Sequence, residues 1–287
     1  MTTSEIARAL RVFAHERYPI EVALPISVCL CVGPYAIAGG SWTTLLRAVV
    51  ATFLFLFVLR IVDDILSISE DKTEHPGRAL PSGRVSIPAL GSGAALLFAL
   101  ALLVSYSWLS LFLILQALYY VGYFCCVKRI PAAIKPLLLN LVFLAVPSYV
   151  SLIEGDRSQP WPFLLGFLFW LSVVGHDYAH NVKASSEFSL EVPQARVLGA
   201  RGAALVGLVF YAGAFTAGAL FVLQRGELQR SSFFLLGLAL MFVHVMFSLI
   251  KLLVQPCCAQ ARRLYVSGYA FFLIPSLLLG LDRLFSA

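Results

Sequence analysis

Charged residues punctuate this chain at long intervals, and continuous apolar stretches run between them. The stretches show no alternation of apolar and polar positions, so they do not read as half-buried strands. The longest uncharged run, Val85–Val127, holds 43 residues. As one helix it would measure about 64 Å, twice a bilayer's hydrocarbon core. It therefore folds back, and Ser, Tyr and Trp gather near Ser105–Ser110 to mark the place. The pattern predicts nine spans, at 20–38, 42–62, 87–104, 108–127, 136–153, 160–176, 202–223, 231–251 and 264–282. In lipid only helices and closed barrels satisfy their own backbone groups, and unbroken apolar runs select helices. The expected fold class is an all-α polytopic membrane protein of about nine transmembrane helices.

Composition agrees. Of 287 residues, 60% are hydrophobic and only 13% charged, against about 25% charged in a soluble chain. Disorder, coiled coil and an ordinary soluble enzyme are excluded. Nine spans leave no room for a separate soluble domain, so residues 1–287 read as one transmembrane domain. The net charge of +6 has a topological source. With the N-terminus in the cytoplasm, 16 of the 21 Lys and Arg fall on the cytoplasmic side. Positive loops stay inside, which gives N-in and, with nine spans, C-out. No basic arm remains for nucleic acid. The six cysteines, at 29, 31, 125, 126, 257 and 258, lack CxxC spacing and lie in or beside apolar runs. They read as small packing residues of a membrane protein, not as a disulfide framework or zinc site. The polar start, Met1–Glu16, does not resemble a removable signal peptide.

Acids gather in two places, after spans two and six. The first segment holds Asp63, Asp64, Glu70 and Asp71, directly after Leu-Phe-Val-Leu with no turn signal between. The helix is expected to run on into them. Asp63 and Glu70, like Asp64 and Asp71, are seven apart, nearly two turns, so each pair shares a face about 10 Å apart. Such a gap accommodates Mg²⁺ and diphosphate oxygens, since Mg²⁺ is often shared between carboxylates and substrate phosphates. A solvated helix end explains the same acids without a ligand. The turn that follows, His75-Pro76-Gly77-Arg78-Ala79-Leu80-Pro81-Ser82-Gly83-Arg84, packs two prolines, two glycines and two arginines into ten residues. Arg78 is placed to meet phosphate oxygens or the acids, or to act as a positive-inside anchor.

These residues resemble the first signature of the UbiA superfamily of intramembrane prenyltransferases, (N/D)DxxDxxxD followed by R-P-(L/I)-P-S-G. Tyr120-Val-Gly-Tyr123-Phe-Cys-Cys-Val-Lys128-Arg129 is similar to the family's aromatic segment ending in Lys-Arg. The resemblance covers essentially the whole chain. It implies a nine-helix fold around a central, lipid-facing cavity. It also implies a prenyl diphosphate held through Mg²⁺ at the cytoplasmic mouth, with the isoprenoid tail in the apolar interior. Two positions depart from the pattern. Ser67 stands at the middle Asp, and Ala79 at the first Pro of the turn. Ser67 is a poor Mg²⁺ ligand, and the neighbouring Glu70 offers partial compensation.

The second segment reads His176-Asp177-Tyr178-Ala179-His180-Asn181-Val182-Lys183. Here the resembled family carries DxxxD; Asp177 matches its first position and Asn181 replaces the second. Their i,i+4 spacing keeps both on one helix face. Lys183 is placed to neutralise a leaving diphosphate. The pair His176/His180 also has the spacing of a zinc helix, but Asp is shorter than the Glu that HExxH chemistry uses as base and no third ligand set accompanies it.

The resemblance therefore assigns Asp63, Asp64, Asp71 and Asp177 to Mg²⁺ and, with Lys128 and Lys183, to catalysis. Arg78, Tyr120, Tyr123, Arg129, His176, Tyr178 and Asn181 are assigned to the substrate. Ionisation of an allylic diphosphate calls for cations on the leaving group and a water-poor, aromatic surround for the carbocation. Tyr119, Tyr120, Tyr123, Phe124, Trp170 and Tyr178 are candidates to line it. Arg17, Arg60, Lys128 and Arg129 are candidates to meet an acidic acceptor. An external lipophilic or aromatic acceptor makes the reaction a prenyl transfer. An internal double bond makes it the cyclisation of a linear prenyl diphosphate to a terpene, an activity also found in the superfamily. A non-catalytic isoprenoid-binding membrane protein is the third reading. A transporter would need charges near midplane, and few are present.

Overall fold

The computed structural model describes residues 2–39, 41–105, 108–127, 129–131, 133–154, 161–180, 193–225 and 231–286. Among the described residues twelve helices follow in chain order: α1 (Thr3–Arg17), α2 (Ile20–Ala38), α3 (Trp42–Leu66), α4 (Ile68–Glu74), α5 (Ile87–Ser105), α6 (Trp108–Cys126), α7 (Lys135–Leu139), α8 (Leu141–Glu154), α9 (Trp161–His180), α10 (Pro193–Arg225), α11 (Ser232–Val254) and α12 (Cys258–Ser286). Each predicted span falls on helix, the one at 136–153 on two helices, α7 and α8. Among the described residues, seven helices are long and apolar enough to cross a membrane. The two other predicted spans are helical but shorter as apolar stretches, Ser110–Cys126 and Lys135–Ser151. The chain is an integral, multi-pass, all-α membrane protein. The long apolar run is divided where expected, with α5 ending at Ser105 and α6 beginning at Trp108.

The chain divides into two compact units, and the division falls within α2 and α6. Unit one comprises Met1–Val28 and Ser41–Ala117. Its core brings Ala9 and Phe13 of α1 against Phe57, Val58 and Ile61 of α3, and against Leu80, Ala89 and Leu90. Phe13 and Tyr18 both stack on Phe57, with centroids 6.2 and 4.6 Å away. α1 opens with a capping box between Thr2 and Glu5. Leu10 of α1 lies where a side chain at Gly93 of α5 would stand. The N-terminal helix is thus packed into the unit rather than trailing from it.

Unit two comprises Cys29–Gly40 and Leu118–Ala287. α9 and α10 approach closely through reciprocal glycines. A Cβ on Gly207 would lie 3.0 Å from the Gly175 carbonyl, and one on Gly175 3.1 Å from the Gly207 carbonyl. Small residues at such contacts let membrane helices meet backbone to backbone. Asp282 of α12 accepts from the Phe233 and Phe234 amides at 2.9 and 2.7 Å. Its charge thereby satisfies two orphan donors at the start of α11. Cys31 is buried, as a packing residue should be, whereas Cys125 and Cys126 are exposed at the end of α6.

Candidate active site

In unit one, α3 carries the chain out of its apolar run and ends with Asp63 and Asp64 in its last turn. Acids there oppose the helix dipole, so they need cations. Arg17, at the end of α1, grips Asp64 with two bonds, Nε to Oδ2 at 2.6 Å and Nη2 to Oδ1 at 3.0 Å. Arg60, one turn back on α3, reaches Asp64 Oδ1 at 3.0 Å and Asp63 Oδ2 at 3.2 Å. Asp64 is 3% exposed, and such a carboxylate persists only when paired. Asp71 is buried as well and accepts from Arg78 Nη1 at 2.7 Å. Asp63, Asp64, Asp71 and Arg78 are therefore brought together, and three guanidinium groups meet three carboxylates.

One local expectation is corrected. The helix does not run through the acids; α3 ends at Leu66 and α4 begins at Ile68. Ser67, in the middle-Asp position, is the break. Its hydroxyl and its amide both bond the Asp63 carbonyl, at 2.8 and 3.0 Å. The straight-helix spacing between the two acid pairs therefore does not apply. Glu70, considered as a substitute for the missing Asp, is exposed. After α4 the chain makes the expected turn, closed by Ser82 N–H to the Arg78 carbonyl at 2.9 Å and Val85 N–H to the Ala79 carbonyl at 3.1 Å. Gly83 has φ of 76° there, a conformation that favours glycine.

Among the described residues no three His, Cys, Asp or Glu converge into a ready cage for an ion. Mg²⁺ does not require one, since one or two carboxylates plus substrate phosphates commonly suffice. Among the described residues the guanidinium contacts of Asp63 and Asp71 fall on Oδ2 and Oδ1, and leave the second oxygen of each to other ligands. Hard oxygen donors beside cations that can also meet phosphate fit a Mg²⁺–diphosphate, with Asp64 the most heavily engaged of the three.

In unit two, the span predicted at 136–153 is interrupted at Asn140. Each carbonyl freed beside that break has a side-chain donor. Tyr119 reaches Leu138 at 3.0 Å, Tyr120 reaches Leu139 at 2.6 Å, and Trp170 reaches Leu137 at 2.9 Å. Tyr178 donates to Ala133. The Tyr120 hydroxyl also accepts from the Val142 amide at 3.1 Å. Backbone groups in an apolar medium must be satisfied, and these aromatics do it. Three of the six rings singled out to surround a carbocation, Tyr119, Tyr120 and Trp170, thus have their polar ends committed to one helix break, and a fourth, Tyr178, to the turn before α7. Tyr123 is buried beside them, its centroid 6.4 Å from that of Tyr120.

Asn140 joins this break to the second acid. Its Nδ2 donates to the Pro136 carbonyl at 2.9 Å and to Asp177 Oδ2 at 2.6 Å. His176, the next residue on α9, is 2% exposed and packs against Tyr265 and Tyr269, with centroids 5.1 and 4.6 Å away. Arg129 is exposed. Lys128, Asn181 and Lys183 lie outside the described residues. Sequence reasoning did not single out Asn140, and it read Arg17 and Arg60 as candidate acceptor contacts rather than as partners of the acids. No local pattern flags Asn140; Arg60 could have been paired by its i,i+4 spacing to Asp64.

The sequence pattern of the UbiA prenyltransferase family matches residues 25–273. The apo structure of a UbiA homolog from Aeropyrum pernix K1 is similar, with a TM-score of 0.71 and 16% identity, over 93% of this chain and 98% of that one. A structure from work on the biosynthesis of digeranylgeranylglyceryl phosphate synthase in membranes gives 0.67 and 16%, over 96% and 99%. At that identity these two likenesses concern the fold. No curated protein matches the chain.

Proposed function

Because the chain belongs to the UbiA prenyltransferase family, we propose that it transfers an isoprenyl group from a prenyl diphosphate to a lipophilic or aromatic acceptor within the membrane. The observation that carries this reading is the patch of Asp63, Asp64 and Asp71 interleaved with Arg17, Arg60 and Arg78. The reading assigns Mg²⁺ to Asp63 and Asp71, with Asp64 held by arginines, in the first acidic segment and to Asp177 in the second; when bound, the ion supplies positive charge to the diphosphate. Arg78 exchanges its carboxylate for the diphosphate, and the reading assigns Lys128, Lys183 and Arg129 as further cations for it. The C–O bond to the diphosphate breaks, the allylic carbon bonds to the acceptor, and the acceptor loses a proton. Tyr120, Tyr123 and Tyr178 keep this region ordered and dry; His176 and Asn181 contact substrate. The two shorter apolar helices also cross, giving nine spans with the N-terminus and both acidic segments cytoplasmic, and the whole chain acts as one domain.

Ser67 and Asn181 favour a second reading, cyclisation of the prenyl chain, because both remove a carboxylate from the usual motifs. One experiment separates the two. The purified protein is incubated with Mg²⁺ and geranyl, farnesyl or geranylgeranyl diphosphate, with and without an aromatic or lipid acceptor. Transfer predicts little organic product until acceptor is added, and loss of product on chelation of Mg²⁺. Abundant cyclic terpene without acceptor overturns transfer in favour of cyclisation. Neither binding nor consumption of any diphosphate favours the non-catalytic reading.

A further inference from the structure

We propose that Glu16 is a positioning residue for the diphosphate patch, and that it works through an N–H group which exists only because alanine stands at position 79. Both Glu16 carboxylate oxygens accept from the Ala79 amide, at 2.9 and 3.1 Å. Oε2 also takes Arg84 Nη2 at 2.9 Å. Arg84 in turn donates to the Gly77 carbonyl at 2.9 Å and to Ser82 Oγ at 3.2 Å. One carboxylate on α1 therefore pins the turn 75–84 from outside, at a residue that is itself 1% exposed.

The signature that this turn resembles carries proline at position 79. Proline has no amide hydrogen and fixes its own φ. A turn with proline there draws stiffness from the ring, through the entropy of the unfolded chain. Ala79 lacks that stiffness and offers a donor instead, and Glu16 occupies it. The neighbour of Glu16 in sequence is Arg17, which grips Asp64. Two consecutive residues at the end of α1 thus hold the two parts of the motif: Arg17 the helix end, Glu16 the turn that carries Arg78. α1 can bear this role because Phe13 and Ala9 seat it in the core of the same unit. The geometry of Arg78 toward Asp71, and so toward an incoming diphosphate, is linked to α1 by a bond that a proline-bearing turn does not make.

The activity arm of the test rests on the function proposed above; a second arm does not. Glu16→Ala is expected to raise KM for the prenyl diphosphate about tenfold, as loss of a supporting hydrogen bond behind a ligand does, with a smaller change in kcat. Glu16→Gln keeps an oxygen for the Ala79 amide and is expected to restore most of the affinity, which also covers the case in which the alanine variant folds poorly. Ala79→Pro removes the same bond from the other side but brings the stiffness of its ring, so it is expected to raise KM less than Glu16→Ala does. The double variant Glu16→Ala/Ala79→Pro is expected to be no worse than either single one. Independent, multiplying effects in that cycle would overturn the proposal, as would unchanged KM in Glu16→Ala. The second arm is amide hydrogen exchange over residues 76–84, expected to speed up in Glu16→Ala and to remain slow in Glu16→Gln. If the unaltered protein consumes no prenyl diphosphate, the functional reading fails, and the positioning claim stands or falls on this exchange alone; equal exchange in all variants refutes it.

Discussion

Asp64→Asn is expected to reduce prenyl diphosphate turnover by about 10²–10³-fold, as loss of one preorganised electrostatic group does, and also to melt earlier. The second effect follows from burial. Asp64 sits between Arg17 and Arg60 with its side chain only 4% accessible. Removing its charge leaves two guanidinium groups facing a neutral amide, and breaking a buried pair from one side costs about 3–5 kcal/mol. Asp71→Asn should lose comparable activity with a smaller drop in melting temperature, because among the described residues Asp71 holds a single guanidinium bond. Ser67→Ala removes one hydroxyl bond to a carbonyl that the Ser67 amide also serves, so its cost is about 1 kcal/mol and its turnover stays near that of the unaltered protein. Mg²⁺-dependent diphosphate release and thermal unfolding measured on the three variants separate charge loss from instability. Full turnover in both asparagine variants would remove the carboxylates from the chemistry.

Tyr120→Phe is expected to be the most destabilising single-atom change in unit two. Its hydroxyl both donates to Leu139 and accepts from Val142, across the break between α7 and α8. Phenylalanine leaves a part-buried carbonyl and a buried amide without that partner, at about 1–3 kcal/mol for the amide and less for the carbonyl. Against a total stability of about 5–15 kcal/mol that is a large fraction. Tyr119→Phe removes one donor from one carbonyl and should cost no more than half as much. Melting in detergent, with hydrogen exchange at Val142, is the check. A Tyr120→Phe protein that melts normally yet has lost turnover would assign the phenol to the reaction rather than to the backbone.

The helices were legible because apolar runs of this length have no other use in a chain this poor in charge. The turn at 75–84 was legible because proline and glycine act locally. The break at Ser67 was not, since serine is no helix breaker; the hydroxyl competes for the Asp63 carbonyl only in its folded setting. The pairing of Arg17 with Asp64 spans 47 residues. No periodic pattern encodes such a contact, and the positive-inside rule had already accounted for the arginine. The interruption at Asn140 was hidden for a related reason. Leucines flank it on both sides, and what stabilises the break is supplied by tyrosines and a tryptophan on other helices. Asp177 was found from its motif, but its partner Asn140 lies 37 residues away.

The interrupted helix has a consequence for biosynthesis. α8 is 14 residues long, about 21 Å, too short to span a hydrocarbon core of about 30 Å alone. α7 adds five residues but exposes the carbonyls around the break. Tyr119 and Tyr120 are already synthesised when this segment emerges, whereas Trp170, Asp177 and Tyr178 are not. On the nine-span reading proposed above, the segment is expected to leave the ribosome as a substandard insertion signal and to commit to the bilayer only once α9 arrives to cover it. Glycosylation mapping of chains ending before Trp161 is expected to find residues 135–154 outside the membrane, with insertion restored when the chain extends through His180.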